Sequence, residues 1–103
     1  MSIQHISEAE FETEVETAQE TVLLDFFADW CGPCRMLAPV LEAFAEAHPE
    51  VKVCKINVDE EAQLAAMHGI VSIPTLIVYR NGAETARTVG LSTKEEIEAL
   101  IAQ

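Results

Sequence analysis

The segment VLLDFFADWCGPC, residues 22–34, joins a long apolar run to two closely spaced cysteines. The run Val22–Ala28 is interrupted only by Asp25, and it is apolar at both odd and even positions. Such a run is typical of a central strand that is covered on both faces. Apolar residues at helical spacing follow up to His48-Pro49. The sequence therefore predicts a strand that leads directly into a helix, with Cys31 at or just before its first turn.

Strands and helices are also predicted to alternate on both sides of this segment. The predicted strands are 3–6, 22–28, 51–58, 75–79 and 84–89, and the predicted helices are 8–16, the helix after Cys31, 59–69, and a last helix capped by Ser92 with Glu95. Helical crossovers favour parallel pairing, and the Asn81-Gly82 turn predicts a hairpin that adds an antiparallel edge. We therefore expect one domain over residues 1–103, of class α/β, with a central mixed sheet of about five strands and helices on both faces.

Residues 8–16 carry two conflicting patterns. Glutamates alternate there with apolar or small residues at period two, which is typical of a strand. However, glutamates are poor strand formers, and Phe11 and Val15 share one face of a helix. Ser7 followed by Glu10 also matches a capping box. We therefore predict a helix with a solvated acidic face, the alternative being a face that selects partners by charge.

The charge balance limits the classes of partner. The chain has 103 residues, with 6 Lys and Arg against 18 Asp and Glu, which gives a formal net charge of -12. Such a charge repels nucleic acid and anionic membrane surfaces, so we expect neither as a partner. The N-terminus has no basic start and no apolar run of signal-peptide length, and no segment is long enough to span a membrane. We therefore expect a monomer in the cytoplasm.

Cys31 and Cys34 are the strongest chemical signal in the sequence. A Cys-x-x-Cys that opens a helix places its first sulfur near unpaired backbone N–H groups and the positive end of the helix dipole, which favours a thiolate. The second sulfur lies one turn later, close enough to attack a disulfide formed at the first. Two inert buried cysteines are the alternative, but the Gly32-Pro33 turn beside Trp30 favours a position near the surface. For Trp30 itself we prefer an exposed functional role over a packed aromatic.

A zinc site is the other alternative for the cysteine pair. It would need two more ligands, and the remaining candidates are Cys54, His5, His48 and His68. None of these residues stands in a paired metal spacing, so we predict no metal site. Cys54 falls on an apolar strand and is interpreted as a small buried hydrophobe, the alternative being a regulatory thiol.

Asp25 is the second chemical signal. A lone carboxylate within a strand that is apolar on both faces is costly to bury in its ionised form, so its pKa should be raised. A desolvated carboxyl group near the cysteines would exchange a proton with Cys34. The alternative is a structural ion pair with Lys55 on the neighbouring strand.

The segment FADWCGPCR, residues 27–35, followed by Pro39, resembles the active-site segment of thioredoxins. Ile73-Pro74-Thr75, the Asn81-Gly82 turn and Val89-Gly90 stand where that family has its equivalents, so the resemblance covers essentially the whole chain. It implies a thioredoxin fold and a thiol-disulfide oxidoreductase that reduces client proteins and is itself reduced by a thioredoxin reductase. Members of this family are familiar examples of a lowered cysteine pKa and of a reducing couple. No cofactor other than the redox-active disulfide is implied.

The resemblance also assigns roles to individual residues. Cys31 resembles the nucleophile, Cys34 the resolving thiol and Asp25 the proton relay. Pro74 resembles a cis-proline that faces the cysteines. The residues that resemble the client-binding surface are Trp30, Gly32, Pro33, Ile73, Pro74, Gly90 and Leu91.

The chain departs from the family pattern at a few positions. Val71-Ser72 replaces a basic residue and Gly, and His68 stands where an aromatic is usual. These departures bear on the choice of client and of reductase rather than on the fold. Two other functions are weighed: a redox-linked binding module without turnover, and an oxidase or isomerase in an oxidising compartment. The latter is disfavoured by Gly32-Pro33 and by the absence of a signal peptide.

Overall fold

A computed structural model describes residues 3–103 and places five strands in one mixed sheet. The strands are β1 Ile3–His5, β2 Val22–Phe27, β3 Lys52–Asn57, β4 Thr75–Arg80 and β5 Ala83–Val89, and the α-helices are α1 Gly32–Ala47, α2 Ala62–Met67 and α3 Lys94–Ile101. The order of strands across the sheet is β1-β3-β2-β4-β5. The α/β class and the mixed five-stranded sheet are therefore confirmed. Within the described residues, no helix has the length and apolar character needed to cross a membrane.

The direction of β4 differs from the sequence-based expectation. β1, β3 and β2 are parallel, but β4 runs antiparallel to β2, and Thr75 at its start pairs with Phe26 near the end of β2. β4 starts at the edge of the sheet where β2 and β3 end, so the connection over residues 58–74 does not return the chain to the opposite edge. The expectation of a parallel crossover at this point was wrong.

The central strand β2 is buried along its whole length. Leu24 packs on one side of the sheet in a cluster with Ile56 and Ile77, and Leu23 packs on the other side against Leu37 of α1. Asp25 shares the face of Leu23, because side chains alternate along a strand. This segment is apolar at odd and even positions because helices cover the strand on both faces of the sheet.

Residues 8–16 are helical, as predicted, but they form no regular α-helix. A 3₁₀ turn at Glu8–Glu10 is followed by a π-helical turn at Glu12–Glu16. The backbone N–H of Ser7 donates to Oε1 of Glu10 at 2.8 Å, and Phe11 and Val15 are buried. The strand alternative for this segment is wrong.

The cap of α3 lies one residue later than predicted. The backbone N–H of Thr93 donates to Oε1 of Glu96 at 2.9 Å, and the N–H of Glu96 donates to Oγ1 of Thr93 at 3.1 Å. Ser92 with Glu95 has the same spacing, but Ser92 is buried. Thr93 rather than Ser92 is therefore the N-cap residue of α3.

Candidate active site

Cys31 caps the N-terminus of α1 and is disulfide-bonded to Cys34. The backbone N–H of Cys34 donates to Sγ of Cys31 at 3.2 Å, and the Cα atoms of the two cysteines are 5.2 Å apart. Pro33 is tolerated in the first helical turn because its missing N–H would have no partner there. The first sulfur thus accepts a helix N-terminal hydrogen bond, which favours negative charge on it.

Two other segments converge on the cysteine pair from distant parts of the chain. The Ile73-Pro74 bond is cis, as the resemblance implied, and the carbonyl oxygen of Ile73 lies 3.8 Å from Sγ of Cys31. The backbone N–H of Gly90 donates to the carbonyl oxygen of Pro74 at 2.8 Å. The segments around residues 31, 74 and 90 therefore meet at one end of the sheet.

Trp30 lies on the surface beside the disulfide. It is 68% exposed, and its Nε1–H donates to Oδ2 of Asp59 at 2.9 Å. Leu91 and Pro33 are exposed as well, Gly32, Ile73 and Gly90 are half-buried, and Pro74 is buried. The packed-aromatic alternative for Trp30 is wrong.

Asp25 is completely buried, and Nζ of Lys55 lies 3.5 Å from its Oδ2 atom. Burial raises the pKa of Asp25 to about 6, and the attraction of Lys55 partly opposes the rise. Neither carboxylate oxygen accepts a hydrogen bond from residues 3–103. The expected rise in the pKa of Asp25 and the proximity of Lys55 are therefore both present.

An open groove of about 410 Å³ beside α1 reaches Lys55, the partner of Asp25. Its lining residues are His5, Phe27, Ala28, Asp29, Cys34, Arg35, Ala38 and Lys55. Cys34 and Lys55 both line the groove, so solvent that enters it reaches both side chains.

Of the other candidate metal ligands, His5 lines the groove beside Cys34, and the remaining three lie elsewhere. Cys54 is buried on β3, His48 contacts Glu50 and Glu98, and His68 contacts Tyr79 through its Nε2 atom. Across residues 3–103, no three His, Cys, Asp or Glu side chains are grouped so as to hold a metal ion.

Sequence reasoning missed two residues next to the site, Asp59 and Phe27. Asp59 follows β3 at the edge where the parallel strands end, and that position signals proximity to the loop after β2. Phe27 shares its face of β2 with Asp25, so the period of two places its ring near the carboxylate. Nζ of Lys55 lies 4.4 Å from the centroid of the Phe27 ring.

A disulfide between Cys-x-x-Cys residues at a helix N-terminus, beside a cis X-Pro bond at the end of a mixed sheet, is characteristic of a class of thiol-disulfide oxidoreductases. The family model for thioredoxin matches residues 2–103. The thioredoxin of Alicyclobacillus acidocaldarius is 47% identical over 98 residues, which cover 94% of this chain and 92% of the relative. That of Chlamydia trachomatis is 43% identical, with coverage of 98% and 97%. That of Haemophilus influenzae is 44% identical, with coverage of 96% and 94%.

The chain therefore belongs to the thioredoxin family and is a thiol-disulfide oxidoreductase of the protein-disulfide reductase type. Its redox-active centre is the pair Cys31 and Cys34.

Proposed function

We propose that Cys31 is the nucleophile and Cys34 the resolving thiol in the reduction of client disulfides. The observation that carries this assignment is the 3.2 Å hydrogen bond from the backbone N–H of Cys34 to Sγ of Cys31. A charge-assisted bond of this kind, at the N-terminus of a 16-residue helix, stabilises a thiolate on Cys31. The sulfur of Cys34 lies inside the first turn and receives no such bond from the described residues.

The reaction consists of two exchanges. The thiolate of Cys31 attacks one sulfur of the client disulfide, the client S–S bond breaks, and the other client sulfur leaves as a thiolate that takes up a proton. Cys34 then loses its proton, and its thiolate attacks Sγ of Cys31. The mixed disulfide breaks, and the second client sulfur leaves and is protonated. Two electrons have passed from the dithiol to the client, and Cys31 and Cys34 are oxidised.

Asp25 serves as the proton relay for Cys34 in this scheme. With a pKa of about 6, its carboxyl group is mostly ionised at neutral pH and accepts a proton from a thiol. That proton then passes to solvent by way of the groove lined by Cys34 and Lys55. Lys55 keeps the carboxylate from becoming too basic to release it.

The client is proposed to bind the surface formed by Trp30, Gly32, Pro33, Ile73, Pro74, Gly90 and Leu91. The exposed side chains of Trp30 and Leu91 support this assignment, since they flank the disulfide and offer apolar area at a small cost in side-chain entropy. Pro74 is buried beneath this surface and supports it, because its carbonyl oxygen accepts the 2.8 Å hydrogen bond from the backbone N–H of Gly90.

The proposal includes no resident cofactor, since both exchanges use only the two cysteines and proton transfers. A thioredoxin reductase would restore the dithiol. We further infer that the protein acts as a monomer in the cytoplasm. A net charge of -12 supports the monomer, because copies of the chain repel one another.

Trapping of mixed disulfides tests the roles of the two cysteines. Cys34→Ser should accumulate adducts with a disulfide-containing client such as insulin on a non-reducing gel, whereas Cys31→Ser should form none. The unmodified protein should also accelerate the precipitation of insulin by dithiothreitol. Adducts only with Cys31→Ser would reverse the assignment. Precipitation at the uncatalysed rate would indicate a binding module without turnover.

A further inference from the structure

We propose that Phe27 is a positioning residue that holds the ammonium group of Lys55 beside the carboxylate of Asp25. Nζ of Lys55 lies 4.4 Å from the centroid of the Phe27 ring and 3.5 Å from Oδ2 of Asp25. A cation over an aromatic face is attracted by the negative face of the ring, and the attraction is stronger where water is excluded. Phe27 and Asp25 are both buried, so the ring and the carboxylate hold the ammonium group between them.

The ion pair alone does not fix Lys55 in this place. The Asp25 oxygens accept no hydrogen bond from the described part of the chain, and the ammonium group sits on a flexible four-carbon stem. The side chain of Lys55 is 11% exposed and lines the open groove, so solvent offers it an alternative position. The face of Phe27 is the second contact that opposes this movement.

The Phe27 ring is itself held on several sides. It packs in one cluster with Ala28, Cys31 and Cys34, and the ring of His5 meets it edge-on with centroids 5.7 Å apart. One side chain thus touches the redox-active pair and Lys55. The titratable and charged groups that face this cluster, apart from Asp25 and Lys55, are His5 on β1, Asp29 after β2, and Cys34 and Arg35 on α1.

The importance of this contact for catalysis rests on the proposed proton relay, whereas the geometry of the contact does not. Without the aromatic ring, Lys55 should spend more time in the groove, and the carboxylate of Asp25 should lose its nearest cation. The pKa of Asp25 should then rise by roughly 0.5 to 1. If Asp25 relays the proton of Cys34, the pH profile of client reduction should shift upward by the same amount.

A double-mutant cycle tests the coupling between the two side chains. The carboxyl carbon of Asp25 would be titrated by NMR in Phe27→Leu, Lys55→Met and the combined variant. When Lys55 is present, Phe27→Leu should raise the pKa of Asp25. In the Lys55→Met background, the same substitution should leave the pKa of Asp25 unchanged, or lower it slightly because water enters the site. Phe27→Tyr retains the ring and is the matched control, so it should keep the unmodified value. An equal shift in both backgrounds, or no shift in either, would overturn the proposal.

A measurement on the unmodified protein covers the case in which Phe27→Leu does not fold. The Cε protons of Lys55 should resonate upfield of those of Lys94, because a proton above an aromatic face is shielded. Unshifted Cε protons would contradict the contact. The relay is tested separately by the rate of client reduction in Asp25→Asn. An unchanged rate there would reject the relay and leave the positional role of Phe27 standing on the titrations.

Discussion

The Nε2 atom of His48 lies 2.7 Å from Oε2 of Glu98, and this contact joins the end of α1 to α3. The Nδ1 atom of the same ring lies 3.2 Å from Oε2 of Glu50, and the ring stacks on Phe44 with centroids 4.6 Å apart. An imidazole with a carboxylate at each nitrogen donates to both only when it is protonated. The hydrogen bond with Glu98, followed by that with Glu50, therefore raises the pKa of His48.

His48→Gln should reduce stability at acid pH more than at alkaline pH. Because the folded pKa of His48 is raised, its contribution is fully present below the unfolded pKa and is lost as the pH rises through the folded value. We expect Tm to fall by roughly 2–4 °C at pH 6 and by less at pH 9. Glu98→Gln should show the same pH dependence, and Glu46→Gln, an exposed carboxylate on α1, is the control. A loss that does not vary with pH would contradict this explanation.

Asp25→Asn should stabilise the oxidised protein at neutral pH and slow the reduction of clients. The folded pKa of about 6 lies above the ordinary value of 3.8, so stability is highest when the carboxyl group is protonated, falls as the pH rises from 3.8 to about 6, and is level above that. The gain from Asn should reach at most about 3 kcal/mol above pH 7 and be about 1 kcal/mol smaller at pH 5.

Urea denaturation at pH 5, 7 and 8.5 measures this gain, and pre-steady-state kinetics measure the rate. A less stable Asn variant at pH 7 with unchanged rates would mean that Asp25 and Lys55 form a net favourable ion pair without a role in proton transfer.

Cys54 should be the last cysteine to react in the reduced protein. Its side chain is completely buried, and burial raises the pKa of its thiol to about 11. Alkylation with iodoacetamide at pH 8, followed by mass spectrometry, should modify Cys31 first. Cys54→Ala should retain turnover and cost about 1 kcal/mol of stability through lost packing. Rapid labelling of Cys54 would instead support a regulatory thiol.

Gly82→Ala should destabilise the protein more than Gly69→Ala. Both glycines have positive φ, +80° and +67°, a region that costs other residues about 1 kcal/mol. At Gly82 an added Cβ would also lie 2.9 Å from the carbonyl oxygen of Glu16, whereas at Gly69 it would meet no atom within 4 Å. Urea denaturation should therefore show an additional loss of about 1 kcal/mol or more for Gly82→Ala. Equal losses would indicate that the hairpin moves away from Glu16.

Several features of the fold and site follow from local sequence patterns. Three of these features are each encoded within a few residues: the run of β2 that is apolar at odd and even positions, the Cys-x-x-Cys at the start of α1, and the Asn81-Gly82 hairpin. The burial of Asp25 follows in the same way, because any residue in the middle of such a strand is covered on both faces. The cis-proline and its position opposite the cysteines were expected only from the resemblance to a known family.

Other features depend on contacts between segments that are far apart in the sequence. Ser92 and Thr93 match the capping-box spacing equally well, but in the folded chain Thr93 is the cap and Ser92 is buried. The direction of β4 depends on the edge of the sheet at which the connection over residues 58–74 ends, rather than on the strand's own pattern.

The polar site shows the same division. The burial of Asp25 and its raised pKa follow from the local sequence, since its neighbours along the strand are apolar. The position of the Lys55 ammonium group between this carboxylate and the Phe27 ring follows only from the folded chain. Strand periodicity acts within one segment of the chain. The position of a flexible cationic side chain instead depends on whether it contacts solvent, a carboxylate or an aromatic ring, and packing brings the carboxylate and the ring together from different residues.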